Sequence, residues 1–177
     1  MLSVVDTNTR KVIRDVGPFS NSLCPFAINR LETLVFANVD GLVGFEVGDL
    51  HTGLILDSVA VEGYQMEAAP KFECPSHGIA FSRDERELWV ADGVRNRLQV
   101  FDASVYPPVA LTAVELPTQP RWIAFSHDGR YAYPSTGDVV DTATKRIVGA
   151  LDAPAGVMPA GAKINSANVL EIDFPLF

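Results

Sequence analysis

Apolar and polar positions alternate over short stretches of this chain, and no long apolar stripe with a 3.6-residue period competes with them. The stretches Leu88 to Ala91, Gln99 to Phe101, Tyr131 to Tyr133 and Ile147 to Val148 are rich in β-branched and aromatic residues. Turn formers bound them: Asp92-Gly93, Asp128-Gly129 and Thr136-Gly137. The pattern predicts many short strands and almost no helix.

Sliding the chain over itself reveals a repeat. Gly78 to Asp92, GIAFSRDERELWVAD, superposes on Trp122 to Ser135, WIAFSHDGRYAYPS, at an offset of 44 residues. Ile79, Ala80, Phe81, Ser82 and Asp84 then fall on Ile123, Ala124, Phe125, Ser126 and Asp128. A more distant copy, CPFAINRLETLVFAN from Cys24, places Ala27, Ile28 and Asn29 against Ala80, Phe81 and Ser82 at an offset of 53. The extra length is assigned to an inserted loop, Gly63 to Glu73. A second marker, an apolar strand ending in Asp before a short turn and another strand, recurs at Asp6, Asp49, Asp102 and Asp141. Spacings of 43, 53 and 39 residues match a four-stranded propeller blade.

The expected fold is therefore all-β: a β-propeller, partial or four-bladed, made of four-stranded antiparallel blades. The division read from the repeats is a half-blade over 2–19, blades near 24–63, 74–117 and 119–151, and a tail over 152–177. In the tail, Asn168 to Phe174 alternates like a closing strand, with Leu170, Ile172 and Phe174 on one face. The Ser and Asp of the repeat are read as turn and hydrogen-bonding residues.

A net charge of -8 over 177 residues, with Lys and Arg scattered, argues against nucleic acid as a partner, since phosphates call for a basic footprint. No apolar run reaches the roughly 18 residues a bilayer span requires, so membrane insertion is not expected. The N-terminus carries no signal-peptide pattern. A chain starting in mid-blade is compatible with a lost leader, which leaves an extracytoplasmic location open. The two cysteines, Cys24 and Cys74, lack the spacing of a zinc site, and whether they pair is left open.

The segments CPSHGIAFSRDERELWVADGVRNRLQVFDAS from Cys74, PRWIAFSHDGRYAYPSTGDVVDTATKRIV from Pro120 and GFEVGDLHTG from Gly44 resemble the YVTN-repeat β-propeller family. The resemblance runs to about Leu151. It implies a bacterial seven-bladed propeller without an evident enzymatic role, and it maps no catalytic set onto this chain. Three complete copies and a half fall short of seven. The preferred expectation is a portion of a larger ring; pairing of two copies through exposed blade faces and four-bladed closure by the tail are the alternatives.

By the alignment, Cys24, His77 and Arg121 hold equivalent positions just before the innermost strands, where they could face one funnel at the channel mouth. With Trp122 they form the candidate ligand site. His77 could serve as a metal ligand or base, although a lone His flanked by Pro75 and Gly78 reads first as a turn residue. Arg121 suits a carboxylate or phosphate, or else an inter-blade pair stacked on Trp122. His51 and His127 read as solvated turn residues, and Asp84, Glu85 and Glu87 as solvated carboxylates. Neither a GxSxG elbow, a P-loop nor a dinucleotide fingerprint is present, and no catalytic residue, metal or cofactor is assigned. The expected function is a non-catalytic module binding a protein or small ligand at the channel mouth. The alternative is an enzyme or enzyme subunit, such as a lactonase-type hydrolase or the propeller of a quinoprotein dehydrogenase.

Overall fold

A computed structural model describes residues 1–64 and 74–151. Fourteen strands run through them, and no helix does. β1 (Leu2–Asp6) and β2 (Lys11–Val16) form a two-stranded ribbon. β3 (Leu23–Ile28), β4 (Leu34–Val39), β5 (Gly44–Asp49) and β6 (Ile55–Ala60) form the first complete sheet. β7 (Ser76–Phe81), β8 (Glu87–Asp92), β9 (Arg97–Asp102) and β10 (Val109–Glu115) form the second. β11 (Ile123–Phe125), β12 (Tyr131–Pro134), β13 (Asp138–Asp141) and β14 (Arg146–Ala150) form the third. Each is an antiparallel meander in chain order, the make-up of a propeller blade.

Period-2 alternation in the second strands explains why the sheets stack. In β8, Leu88 and Val90 pack with Phe36, Phe45 and Val47 of the first sheet. Trp89 and Ala91 point the other way, into a core with Ala132 and Val140 of the third. β4 does the same: Phe36 faces the second sheet, while Val35, Ala37 and Val39 pack on Val16, Phe19 and Leu50. Strands buried on both faces must be apolar on both, which is why β4 carries no charge and β8 carries it only at its two ends, Glu87 and Asp92.

Backbone approach between sheets is made chiefly through the first strands, β3 against β7 and β7 against β11, as expected for strands converging on an axis. The fourth strands lie at the rim, and β14 is exposed along its whole length. Phe81 meets the ring of Phe36 edge-on at 5.0 Å, and Phe125 meets Trp89 edge-on at 5.5 Å. The two repeat phenylalanines thus hold the same post, each resting on an aromatic of the preceding blade. The proposed closing strand, Asn168 to Phe174, and most of the inserted loop lie outside the described residues.

Candidate functional site

The turns set the two ends of the molecule. At the first-to-second strand turns, Ser82 Oγ donates to Asp84 Oδ1 at 2.8 Å and Ser126 Oγ to Asp128 Oδ1 at 2.7 Å. The same serine oxygens accept from the amides of Glu87 and Tyr131. Asn29 replaces the pair in the third copy, its Oδ1 accepting from the amides of Thr33 and Leu34. Three residues after Asn29, Ser82 and Ser126 the backbone turns left-handed, at Glu32, Glu85 and Gly129. The recurring Asp at the end of the third strand caps the next turn. Asp6 accepts from the amide of Thr9, Asp49 from His51 and Thr52, Asp102 from Ser104 and Asp141 from Thr144.

These bonds hold carboxylates in the charged form and pull their pKa below the usual 3.8. The leading cause is the amide of Thr9 for Asp6, Thr52 for Asp49, Arg130 for Asp128 and Thr144 for Asp141. For Asp84 and Asp102 it is the hydroxyl of Ser82 and of Ser104. Carboxylates committed in this way as acceptors are poor proton shuttles.

The same end holds a charged cleft of about 620 Å³, whose lining includes Arg30, Arg83, Arg86, Glu87 and Lys145. Glu87 is not solvated as its sequence position suggests. Its carboxylate lies 2.7 Å from Lys145 Nζ, accepts the Trp89 indole N–H at 2.9 Å and is only 23% exposed. Lys145 Nζ also sits 5.2 Å from the Trp89 ring centroid, so one cation ties the third blade to the second. Arg30 donates to the carbonyl of Arg83, and Arg83 to the carbonyl of His127. The cleft escaped the sequence reading because its members come from three separate turns. The only sign of them is a basic residue recurring near each Ser or Asn of the repeat.

The predicted site lies at the other end, where first strands begin. Cys24 and His77 fall within β3 and β7 rather than before them, and Arg121 precedes β11. Cys24 is bonded to Cys74, with Cα atoms 6.5 Å apart, so it brings to the mouth a disulfide rather than a thiol. His77 is half-buried, its ring edge-on to Trp122 at 5.1 Å. The amides of Arg121 and Trp122 both donate to Ser135 Oγ, at 2.8 and 3.3 Å. His77, Arg121 and Trp122 are therefore brought together, with the disulfide on the neighbouring strand. His51 and His127 are exposed turn residues.

Behind this mouth runs a buried polar network that the sequence reading missed. Ser76 Oγ accepts from the amide of Gly44 at 2.9 Å and donates to the Leu42 carbonyl at 3.2 Å. Asn38 Nδ2 donates to the Gly44 carbonyl, and Gln99 Nε2 to Asp92 Oδ2 at 2.8 Å. Asp92 Oδ1 accepts from the amides of Val94 and Arg95. Polar groups buried and paired in this manner fix the loops they touch. Among the described residues no group of three or more His, Cys, Asp or Glu is placed to hold a metal ion.

Compared with known proteins, the chain matches no family model and no curated protein. Among solved structures it is similar to hydrazine synthase of Kuenenia stuttgartiensis, with a TM-score of 0.66 and 19% identity. The match covers 82% of this chain and 41% of that one, so it spans less than half of this structural neighbour. The likeness concerns the fold alone. With the stacked four-stranded meanders, it defines the class: a partial β-propeller.

Proposed function

We propose that the chain is a non-catalytic, YVTN-type propeller module that holds a protein or small ligand at the end where its first strands begin. The observation that carries this reading is the meeting of His77, Arg121 and Trp122 on first-strand entrances backed by a disulfide and a buried polar network. Binding groups set on rigid elements lose little freedom when a ligand arrives. An imidazole against an indole, with an arginine next to that indole in the chain, suits a planar carboxylate on an aromatic body. Trp122 supplies its own reporter, because Trp89 is fully buried while Trp122 is half-buried. A panel of aromatic carboxylates should quench that emission saturably, and His77→Ala combined with Arg121→Ala should abolish the effect while the melting temperature holds. Equal quenching in the double variant would move the site elsewhere.

The rival reading, an enzyme or part of one, draws support from the name of the structural neighbour. Metal analysis with a lactone hydrolysis assay separates the two. Turnover with stoichiometric metal would displace the binding reading.

A further inference from the structure

The repeat carries a basic residue at one fixed place. Arg30, Arg83 and His127 follow the Asn or Ser of the three copies, at the offsets of 53 and 44 that superpose them. Each stands two residues past the end of a first strand, β3, β7 or β11. First strands make the closest approach between blades, so the turns that leave them gather around the axis. Arg30 Nη2 donates to the Arg83 carbonyl at 2.7 Å, and Arg83 Nη1 donates to the His127 carbonyl. The same Nη1 lies 3.4 Å from His127 Nδ1. The three residues form one row across three blades.

The row is held in place. The stem of Arg83 lies across Gly129 of the third blade, so close that a Cβ there would fall 3.1 Å from Arg83 Cβ. Its charge is not spent. A carbonyl accepts a hydrogen bond without cancelling the cation, and among the described residues neither Arg30 nor Arg83 forms an ion pair with a carboxylate. The carboxylates nearby serve other donors. Asp84 and Asp128 accept from the turn hydroxyls and from the amides of Arg86 and Arg130. Glu85 accepts from the Arg30 amide, and Glu87 from Lys145 and Trp89. Four cations and three carboxylates line the cleft, a positive balance within a chain of net charge -8.

We infer that this cleft is a second binding site, for a phosphate group carried on a small molecule. Tetrahedral phosphate oxygens accept from several directions, which suits donors arriving from the turns of separate blades, whereas a planar carboxylate suits a single guanidinium fork. A volume of about 620 Å³ leaves room for the body that bears the phosphate. The cleft is at the opposite end from His77 and Arg121, so binding there is independent of theirs.

Calorimetric titration of the full chain with inorganic pyrophosphate, at about 0.15 M salt to screen diffuse attraction, tests it. Pyrophosphate should bind once per chain, and citrate, a carboxylate of comparable charge, at least about tenfold more weakly. Arg30→Gln combined with Arg83→Gln should weaken pyrophosphate by at least about tenfold, through the loss of charge-assisted bonds. Arg146→Gln, on the exposed β14, should leave the affinity unchanged. Arg30 and Arg83 also tie blades together, so Arg86→Gln is the second variant. Its side chain is 80% exposed and pairs with Asp84 of its own turn, so the fold should hold while binding weakens about threefold or more. No binding by the parent, or undiminished binding in both cleft variants, would overturn the assignment. So would an equal loss in Arg146→Gln, or citrate held as tightly as pyrophosphate.

Discussion

At the scale of single residues, the repeat records backbone proximity. Ala27, Ala80 and Ala124 sit opposite Phe36, Trp89 and Tyr133, so a small residue on each first strand faces an aromatic on each second strand. Gly78 is a sharper case. A Cβ there would lie 2.5 Å from the Arg121 carbonyl oxygen and 3.0 Å from Trp122 Cα, both backbone atoms of the next blade. No rotamer change relieves such a clash, so Gly78→Ala should cost about 2–3 kcal/mol in urea denaturation. Gly149→Ala is the control: its nearest neighbour is 4.0 Å away, and the midpoint should hold or rise. These contacts lay half in view beforehand. The alanines could be read, because recurrence at a fixed offset is visible in one sequence. The need for Gly78 could not, because it depends on a segment 43 residues away in the chain.

At the scale of strands, alternation identified the elements but clipped their ends. Leu88 to Ala91 extends in fact from Glu87 to Asp92, and Gln99 to Phe101 from Arg97 to Asp102. Apart from the buried Leu98 the added residues are charged, and each of these has a post that alternation cannot register. Glu87 anchors Lys145, Asp92 caps the following turn, and Arg97 pairs with Glu115. The Cys24–Cys74 bond belongs to this scale as well, since pairing could be decided only once β3 and β7 were known to be neighbours. It closes a separation of 50 residues in the chain. By loop-closure entropy, Cys24→Ser with Cys74→Ser should lower unfolding free energy by about 4 kcal/mol. Urea titration of the oxidised protein reads the loss directly, and a reducing agent should bring the parent to the variant's midpoint while leaving the variant unmoved. An unchanged parent under full reduction would mean that stacked blades alone hold the first strands together.

At the scale of the whole molecule, the same turn is built again and again, and its chemistry accumulates. Asp6, Asp49, Asp84, Asp102, Asp128 and Asp141 are all held below their ordinary pKa by turn amides and hydroxyls. Unfolded, each takes up its proton near 3.8; folded, each resists until the pH is lower. A depressed folded pKa gives stability that is complete above the unfolded value and lost as pH falls through the folded one. The melting temperature should therefore stay level on this account above about pH 5, and decline below about pH 4. Each carboxylate is at the surface and contributes little alone, so the decline reflects their sum. Asp141→Asn keeps an oxygen acceptor for the Thr144 amide but cannot be protonated in this range. It should flatten the acid limb slightly, and the same change at all six positions should nearly remove it. An acid limb as steep in the sixfold variant as in the parent would shift the cause away from these turns.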